Sequence, residues 1–377
     1  MLEWKKLGEI VKRNKGIPIT ASQMNELTSF DGNVRVFAAG QTVADIDESL
    51  LPANCSYNKP SIIIKTRGYI DFEFYDKPFT HKNEMWSYSF DDRTLCKFIY
   101  YYLTIKTEGF RKKARANSVK LPQLCVADTD DFLIPIPSLS EQTRIVGILD
   151  TFTASIENLK QQIAQRRKQY EHYRICFFSN DEWEHILVGK LTKIFSCPRV
   201  FKDQWQDSGV PFWRSSDIMS YHNGVKNPRG EVFISQSLYE ELSCKSEKIK
   251  EGDILVTGGG SIGMPYLKTD DRPLFVKDAD LICIQKCSSI VPKYLYHYLL
   301  STDFKLYLKK ITHDATIAHY TINQIKDTPI PLPSLAEQSR IVSILDTFEA
   351  SIANLEQQLA QRERQYEYYR NKLLTFE

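Results

Sequence analysis

Several features that usually reveal a protein's location or chemistry are missing from this 377-residue chain. No apolar run approaches the roughly 20 residues of a membrane span, and the opening residues, MLEWKKLGEI, lack the apolar stretch of a signal peptide. The eight cysteines are scattered, and Cys283 with Cys287 has no second pair or histidines at the spacing of a zinc site. We therefore expect reduced thiols, no metal and no membrane partner in a cytoplasmic protein.

Catalytic motifs are missing as well. The seven histidines form no H-E-x-x-H pattern, and no serine lies in a nucleophile elbow. The segment Gly258–Gly263, GGGSIG, lacks the following Lys-Ser/Thr of a P-loop, which favours a strand–turn–strand. The string Asn227–Gly230 is not the Asn/Asp-Pro-Pro-aromatic tetrapeptide of a methyltransferase. These absences predict a chain that carries out no reaction of its own.

A marked excess of charge is also lacking. The chain has 49 Lys and Arg against 47 Asp and Glu, a net charge of +2, and no polybasic arm. This balance is weak evidence about any partner. With 42% hydrophobic and 25% charged residues the composition is that of a globular protein. The length exceeds that of one ordinary core and predicts two domains.

One segment of the sequence is present twice. Residues 134–174 and 330–370 align without a gap and share 30 of 41 residues, which identifies an internal duplication. Each copy begins with two prolines that prevent a helix from extending upstream. The spacing of serine and glutamate in Ser138–Glu141 and Ser334–Glu337 then matches a capping box, which predicts the start of a long helix in both copies.

Inside each copy, apolar and aromatic residues recur in steps of four and three, as in a heptad seam. The seam is interrupted once per copy, at Arg166 and Arg362. The predicted seam residues are Ile145, Leu149, Phe152, Ile156, Leu159, Ile163, Tyr170 and Tyr173, and Ile341, Leu345, Phe348, Ile352, Leu355, Leu359, Tyr366 and Tyr369. Because the only other stripe of this length is its own copy, the two helices should pack together. Antiparallel packing is expected, since a parallel pair would require the chain to travel back along a helix of about 55 Å.

The remaining sequence predicts a mixed α/β fold. Alternating apolar and turn residues at 61–90 and 249–285 indicate strands, and KFIYYYL and KYLYHYL, which align at the offset of the repeat, indicate helices packed on a twisted sheet. The C-terminal RNKLLTFE followed by MLEWKKLGEI imitates RICFFSNDEWEHILVGKL, so the arrangement is cyclic. The expected architecture is two globular domains and two long antiparallel coiled-coil helices related by a pseudo-two-fold axis. The predicted segments are a first domain at 1–137, a first helix at 138–178, a second domain at 179–333 and a second helix at 334–377.

The repeated segment also resembles a known family. IPLPSLAEQSRIVSILDTF and RERQYEYYRNKLLTF are similar to the conserved helical region of specificity (S) subunits of type I restriction-modification systems, and GDILVTGGGSIG resembles a turn of their recognition domains. The resemblance implies that each domain reads one half of a bipartite, asymmetric double-stranded DNA target, while the helices set the unread gap. It implies one copy of the chain per complex, two methyltransferase (M) subunits that modify adenine N6, and restriction (R) subunits. S-adenosylmethionine, ATP and Mg are then expected in those partners, with no cofactor in this chain.

If the resemblance holds for the recognition domains, basic and polar residues near predicted turns are the candidates for contacts with DNA. The stretch Arg111–Lys120 is the most basic, and Arg67 lies beside Gly68; arginine is the commonest reader of guanine. In the second domain, Arg214 follows a Pro-Phe-Trp run and Ser261 follows three glycines. The predicted DNA contacts are Lys65, Arg67, Tyr69, Arg111, Lys112, Lys113, Arg115, Lys120, Arg214, Ser215, Ser216, Ser261, Thr316, His319 and Tyr320.

Two other interpretations of the sequence stay open at this point. One is a non-enzymatic scaffold whose helices hold two protein-binding domains. The other is a subunit of a related combined restriction-methylation system, whose specificity chain would look similar. The interpretation as an RNA-binding or DNA-cleaving protein is not supported, because the sequence contains no stacking motif and no cluster of catalytic carboxylates. Since non-specific affinity comes mainly from phosphate neutralisation, the small net charge predicts weak DNA binding by the chain alone.

Overall fold

The computed structural model describes residues 2–118, 120–180, 182–312 and 319–376. The chain forms two compact units: the first unit is Met1–Lys160 with Gln357–Glu377, and the second unit is Gln161–Glu356. Both boundaries fall inside long helices. Each unit thus contains one globular domain with about half of each long helix. The division into two domains and two separate helices stays a prediction.

The first unit is a mixed α/β domain that leads into a long helix. Its strands are β1 (Glu3–Lys6), β2 (Arg13–Lys15), β3 (Val34–Phe37), β4 (Val43–Ile46), β5 (Ser61–Lys65), β6 (Asp71–Tyr75), β7 (Phe79–His81), β8 (Trp86–Ser89) and β9 (Leu133–Ile136). Its helices are α1 (Leu7–Ile10), α2 (Ala21–Leu27), α3 (Arg93–Ile105), α4 (Thr107–Asn117), α5 (Val126–Asp130) and the first part of α6 (Leu139–Phe178). A 3-10 turn covers Glu48–Leu50.

The second unit repeats this order. Its strands are β10 (His185–Leu187), β11 (Ile194–Phe195), β12 (Val210–Trp213), β13 (Phe233–Ile234), β14 (Ile254–Thr257), β15 (Pro265–Leu267), β16 (Phe275–Val276), β17 (Leu281–Ile284) and β18 (Pro329–Pro331). Its helices are α7 (Val188–Leu191), α8 (Ser215–Asn223), α9 (Gln236–Lys245), α10 (Pro292–Leu300), α11 (Thr302–Ile311), α12 (Ile322–Lys326) and the first part of α13 (Leu335–Leu373), with a 3-10 turn at Lys202–Gln204. Within the described ranges, none of the helices is both long and apolar enough to cross a membrane.

The strand topology is the same in both units. The first has sheets β1-β9, β2-β8-β5-β6 and β4-β3-β7, and the second has β10-β18, β11-β17-β14-β15 and β13-β12-β16. In each case the pairing inside the three-stranded sheet includes one parallel pair, β3 with β7 or β12 with β16. The duplication therefore includes the domains, whose sequences are only faintly similar.

The predicted strands and helices are present, but the single twisted sheet expected in each domain is three separate sheets. The physical reason is that β5 and β14 are buried along their whole length and must be covered on both faces. The three-stranded sheet of each unit covers one of these faces, through β3 and β7 or through β12 and β16. In β5, Ile62 and Ile64 belong to one apolar core and Ile63 to another. Both faces of the four-stranded sheet are therefore covered, and the strand reads as a continuous apolar run rather than an alternating one.

The ends of the long helices complete the domain cores. In the first unit, Ile145 and Leu149 of α6 lie in the same core as Leu374, which follows α13. In the second unit, Ile341 and Leu345 of α13 lie in the same core as Phe178, the last residue of α6. Each domain is thus closed by the beginning of one long helix and the end of the other, which is the cyclic arrangement expected from the sequence.

Aromatic contacts show that α6 and α13 run antiparallel within each unit. In the first unit, the ring of Phe152 lies 6.5 Å from that of Tyr366 and 5.4 Å from that of Tyr369. In the second unit, the ring of Phe348 lies 6.3 Å from that of Tyr170 and 5.3 Å from that of Tyr173. These residues correspond at the repeat offset, so both halves of the pair use one contact pattern with the helices exchanged.

Fourteen of the sixteen predicted seam residues are buried or half-buried. Tyr173 and Tyr369 are exposed because they lie at the edge of the seam, where each ring packs on a phenylalanine of the other long helix. Four of the buried seam residues, Ile145, Leu149, Ile341 and Leu345, pack into domain cores as well. The two arginines that interrupt the seam also have a structural role. The guanidinium of Arg362 lies 5.7 Å from the ring centre of Phe152, and that of Arg166 lies 5.6 Å from the ring centre of Phe348. Each arginine therefore covers a phenylalanine through a cation–π contact.

The helix starts follow the sequence pattern with one difference. The hydroxyl of Ser138 accepts a hydrogen bond from the Glu141 N–H at 3.3 Å, and that of Ser334 does the same for Glu337 at 3.2 Å. The Glu141 carboxylate pairs with the guanidinium of Arg144 at 2.8 and 2.6 Å instead of completing a capping box. A bidentate, charge-assisted pair is the stronger partner, and it lowers the pKa of Glu141.

A buried histidine makes the first domain sensitive to acid. His81 in β7 is fully buried, and its Nε2 lies 3.1 Å from the hydroxyl oxygen of Ser87. Burial disfavours the charged imidazolium and lowers the pKa of His81 from 6.5 to about 4. Because the folded-state pKa lies below the unfolded one, the neutral ring contributes its full stability above pH 6.5. That contribution is lost as the pH falls toward 4.

We predict that the His81→Asn variant will lose less stability in acid than the parent chain. Between pH 7 and pH 5 the parent should lose about 2 kcal/mol more unfolding free energy than the variant. Urea denaturation at the two pH values measures this difference. His319→Asn, which changes an exposed histidine, is the control and should behave like the parent. Equal losses for the parent and His81→Asn would contradict the role of His81.

Candidate nucleic-acid interface

The second unit contains an open cleft of about 1130 Å³. Five chain segments line it: 199–205, the start of α8 with the following loop to Arg229, the turn 259–261, the segment 277–280, and His319. Of the predicted contacts, Arg214, Ser215, Ser216, Ser261 and His319 all line this cleft. Residues more than a hundred positions apart in the sequence are therefore brought to one surface.

Gly258, at the end of β14, is the point where three of these segments meet. Its N–H donates to the carbonyl of Asp280 at 2.7 Å, and its carbonyl accepts from the N–H of Tyr320 at 2.9 Å. A Cβ at this position would lie 2.7 Å from the Ala279 carbonyl oxygen and 2.9 Å from the Tyr320 carbonyl oxygen. Only glycine lets the three backbones approach this closely. The glycine run is thus a turn between β14 and β15, as the sequence favoured, and the close packing of Gly258 brings the segments of the cleft together.

The opposite wall is held by the start of α8. The Arg214 guanidinium donates to Asp217 at 3.1 Å and to the carbonyl of Gly230 at 2.7 Å, and it lies over the ring of Trp205. The Ser215 hydroxyl donates to the Asp280 carbonyl at 3.0 Å. These bonds tie α8 to the loop after it and to the segment at 277–280. They make the wall rigid before any ligand arrives.

Basic groups collect on the rim of the cleft. Arg199 pairs with Asp278 at 2.9 Å, and Lys277 pairs with Asp280 at the same distance. Lys202 and Arg229 are exposed, and within the described residues their side chains have no ion pair or hydrogen bond. Two free cations beside two partly neutralised ones give the rim a positive field that suits the phosphates of a nucleic acid.

The corresponding turn of the first unit lies against the end of α4. The N–H of Leu124 donates to the Thr66 carbonyl at 2.9 Å, and the N–H of Gly68 donates to the Pro122 carbonyl at 2.8 Å. The N–H of Gln123 also donates to the Ala114 carbonyl in α4 at 3.1 Å. The segment after α4 therefore joins the β5–β6 turn to the basic helix. This brings the two groups of contacts predicted in the first domain together.

The first unit presents an exposed basic surface around α4. Arg111 pairs with Glu108 at 2.6 Å and lies over the ring of Tyr69, with its guanidinium carbon 5.5 Å from the ring centre. Five further cations are exposed and have no ion pair within the described part of the chain. We call these the free cations of the first unit: Arg67, Lys112, Lys113, Arg115 and Lys120.

Burial corrects three of the predicted contacts. The Lys65 side chain is only 10% exposed, and its ammonium pairs with Glu73 at 2.8 Å. The Arg214 side chain is similarly enclosed by its bonds to Asp217 and Gly230. Tyr320 is 1% exposed, and its hydroxyl is hydrogen-bonded to Thr328. We remove the three side chains from the candidate contacts because DNA could reach them only if these internal bonds broke. Thr316 lies outside the described residues.

The sequence offered no signal for the rim residues Arg199, Lys202, Arg229 and Lys277. Each is an isolated cation in a different segment, and neither a run of charge nor a fixed spacing connects them. The cleft was marked in the sequence only by the glycine turn with Ser261, by Arg214–Ser216 and by His319. In the first unit, four of the eight sequence-predicted residues lie on α4, where they form a run of charge that the sequence shows directly.

One cluster of the second unit has the residue types of a metal site. His297, Asp346 and Glu349 lie close together, and His297 is fully buried. Its Nε2 faces Asp346 at 3.0 Å, while its Nδ1 faces Glu349 at 3.8 Å. The carboxylates approach opposite nitrogens, and Asp346 is also paired with Lys293 at 2.8 Å. Burial lowers the pKa of His297. These contacts describe a polar junction between α10 and α13 rather than one ion's ligand shell.

The equivalent junction of the first unit supports this interpretation. There, Asp150 of α6 pairs with Lys97 at 2.6 Å and accepts a hydrogen bond from the Tyr101 hydroxyl at 2.7 Å. Tyr101 occupies the position of His297. The same aspartate and lysine thus fasten a domain helix to a long helix in both units, with a tyrosine in one and a histidine in the other.

Comparison with known proteins adds a family assignment to this geometry. The family model described as "Type I restriction modification DNA specificity domain" matches residues 1–166 and 180–364. A putative type I restriction enzyme specificity subunit of Haemophilus influenzae is 29% identical over 400 residues, covering 100% of this chain and 96% of that protein. The EcoR124I/EcoR124II specificity subunit of Escherichia coli is 25% identical over 394 residues, covering 100% of this chain and 94% of that protein.

Solved structures show the same fold. The crystal structure of a type I restriction-modification S subunit from M. genitalium superimposes with a TM-score of 0.64 at 17% identity, covering 100% of this chain and 97% of that one. A chain from a structure of complex assembly and conformational transition in the type I R-M system gives a TM-score of 0.55 at 16% identity. That match covers 99% of this chain and 97% of the other. The architecture of two repeated α/β domains with long helices is therefore that of S subunits.

Proposed function

The chain belongs to the type I restriction-modification DNA specificity family, and from this we propose that it reads a bipartite DNA target. In this proposal the first unit contacts one half-site through its free cations with Arg111 and Tyr69. The second unit contacts the other half-site through its cleft. The paired helices α6 and α13 determine the number of unread base pairs between the half-sites.

The observation that carries the proposal is the convergence in the second unit. Its cleft joins free cations at the rim, Lys202 and Arg229, to polar side chains inside, including Ser261, Asn223 and His319. Cations position a protein on the phosphates, while polar side chains read base edges. A scaffold for protein partners has no need for this combination of a positive rim and a polar interior.

The balanced net charge fits a subunit that works in a complex. With a net charge of +2, the chain should bind DNA weakly by itself. We propose that two methyltransferase subunits dock on the single copy of the chain, that restriction subunits join the complex, and that it works in the cytoplasm. Those partners would carry S-adenosylmethionine, ATP and Mg and perform adenine-N6 methylation and cleavage. This chain would be non-catalytic.

The rim cations can be tested with a double variant. We expect Lys202→Ala/Arg229→Ala, in complex with the methyltransferase subunits, to weaken binding to all duplexes alike. The slope of log affinity against log salt should fall by about 2, since roughly one counterion contact is lost per cation. Fluorescence anisotropy at several salt concentrations measures this. Lys245→Ala/Lys250→Ala, which removes two exposed lysines of the same unit outside the cleft, is the control. An unchanged slope would contradict a DNA-facing rim.

A polar residue of the cleft should affect sequence preference instead. We expect His319→Ala to relax base preference at one position of one half-site, at a cost of about 1–3 kcal/mol in discrimination. The other half-site and the gap should be unchanged, because they depend on other parts of the chain. Methylation sequencing of cells that express the variant with its partners measures both half-sites at once. Relaxation in both halves would argue against separate readers.

The helix pair should control the gap. Inserting one heptad in both α6 and α13 lengthens each by about 10 Å, which corresponds to roughly three base pairs at about 3.4 Å each. We expect the preferred gap to shift by that amount while both half-sites stay the same, as measured by methylation sequencing. Altered half-sites with an unchanged gap would contradict the proposal. As a control, a heptad inserted in α6 alone should disrupt the seam and lower the Tm.

A further inference from the structure

In each unit, an ion pair crosses between the two long helices. In the first unit, the Lys160 ammonium lies 3.5 Å from the Glu363 carboxylate. In the second unit, the Arg167 guanidinium lies 2.5 Å from the Glu356 carboxylate. At the repeat offset, Lys160 corresponds to Glu356, and Arg167 corresponds to Glu363. The two pairs therefore occupy one structural position, with the signs of charge exchanged between the helices.

Within the repeat, the sign of the charge is reversed only at these two positions. The two copies differ at 11 of 41 aligned positions, and at only two of these does a basic residue stand opposite an acidic one in the alignment. These two positions are the ones that form the crossing ion pairs. Two further differences change the charge by one unit without reversing its sign, Thr153 to Glu349 and Glu157 to Ala353. The remaining ones, such as Thr143 to Ser339, leave the charge unchanged.

The apolar seam cannot distinguish the two helices. Of the predicted seam positions, only one differs between the copies, Ile163 against Leu359, which is a change of shape without a change of size. The residues that stack across the pair, Phe152 with Tyr369 and Phe348 with Tyr173, are the same types in both copies. On apolar grounds, α6 could therefore pair with an α6 from a second copy of the chain as well as with α13.

We infer that these four charged residues select the partner of each long helix: α6 accepts α13 and rejects a second α6. In an antiparallel α6–α6 pair of the same geometry, Lys160 of each helix would face Arg167 of the other. In an α13–α13 pair, Glu356 would face Glu363. Each homotypic pair would therefore hold like charges at both positions, whereas the α6–α13 pair holds opposite charges at both. Residues flanking a heptad seam set partner choice in this way.

Exposure shows how the selection works. Side-chain exposure is 52% and 49% for Lys160 and Glu363, and 64% and 44% for Arg167 and Glu356. Ion pairs this exposed add little stability by themselves. Selection comes from the difference in free energy between attraction in the α6–α13 pair and repulsion in a homotypic pair, at both charged positions. The high effective concentration of a partner helix on the same chain adds to this preference. The seam supplies affinity, and the charges supply discrimination.

The test uses the full chain and makes α13 carry the charges of α6. The variant Glu356→Lys/Glu363→Arg reproduces within one chain the electrostatics of the rejected α6–α6 pair. We expect its Tm to fall by roughly 2–6 °C at low salt. The variant Lys160→Glu/Arg167→Glu/Glu356→Lys/Glu363→Arg restores opposite charges with the signs reversed, and its Tm should return to within about 1 °C of the parent. In about 1 M NaCl the differences should shrink, because exposed charges are screened.

A neutral variant separates repulsion from the loss of attraction. Glu356→Ala/Glu363→Ala removes both ion pairs without creating like charges, and its Tm should lie between those of the parent and the like-charge variant. If the like-charge and neutral variants melt together, no repulsion exists and the inference is wrong. It is also wrong if the four-residue exchange fails to recover the Tm, since the loss would then come from changed packing.

Discussion

The structure depends on the burial of both ends of each long helix in a domain core. Ile145 and Leu374 lie in one core, and Ile341 and Phe178 lie in the other, all nearly inaccessible to water. Burying an apolar side chain of this size stabilises a fold by about 1.5–3 kcal/mol. Each domain is consequently incomplete without both helices, and the helices are part of the cores rather than attachments to them.

Duplication preserved this framework while the surfaces built on it diverged. Strand topology, the antiparallel seam and the aspartate–lysine junction with α3 or α10 are present in both units. By contrast, the turn after β5 presents Arg67 and Tyr69, whereas the turn after β14 begins with three glycines, of which Gly258 is closely packed. One unit has an exposed basic surface and the other a cleft. A duplicated framework thus carries two unlike surfaces, which is what the proposed reading of an asymmetric target would require.

Local pairing, rather than net charge, determines where the chain is positive. Many of its cations are neutralised by nearby acids, such as Lys65 by Glu73 and Arg214 by Asp217. The cations that stay free in the described residues include the exposed set on and near α4 and two on the cleft rim. A chain with almost no net charge can therefore still present two positive surfaces, each restricted to the place proposed to meet phosphates.

The sequence by itself determined the long helices, their antiparallel pairing, the cyclic order and the strands at 61–90 and 249–285. Periodicity is a local property that shows which face is apolar, and the duplication identified the partner of that face. Only the tertiary structure decided the three-sheet arrangement, the rim of Arg199, Lys202, Arg229 and Lys277, and the burial of Lys65, Arg214 and Tyr320. Membership of the cleft depends on close approaches such as that of Gly258 to Asp280 and Tyr320. Whether a cation is free depends on an acid brought near by strand pairing, as Glu73 is to Lys65. Such long-range proximity leaves no periodic trace in the chain.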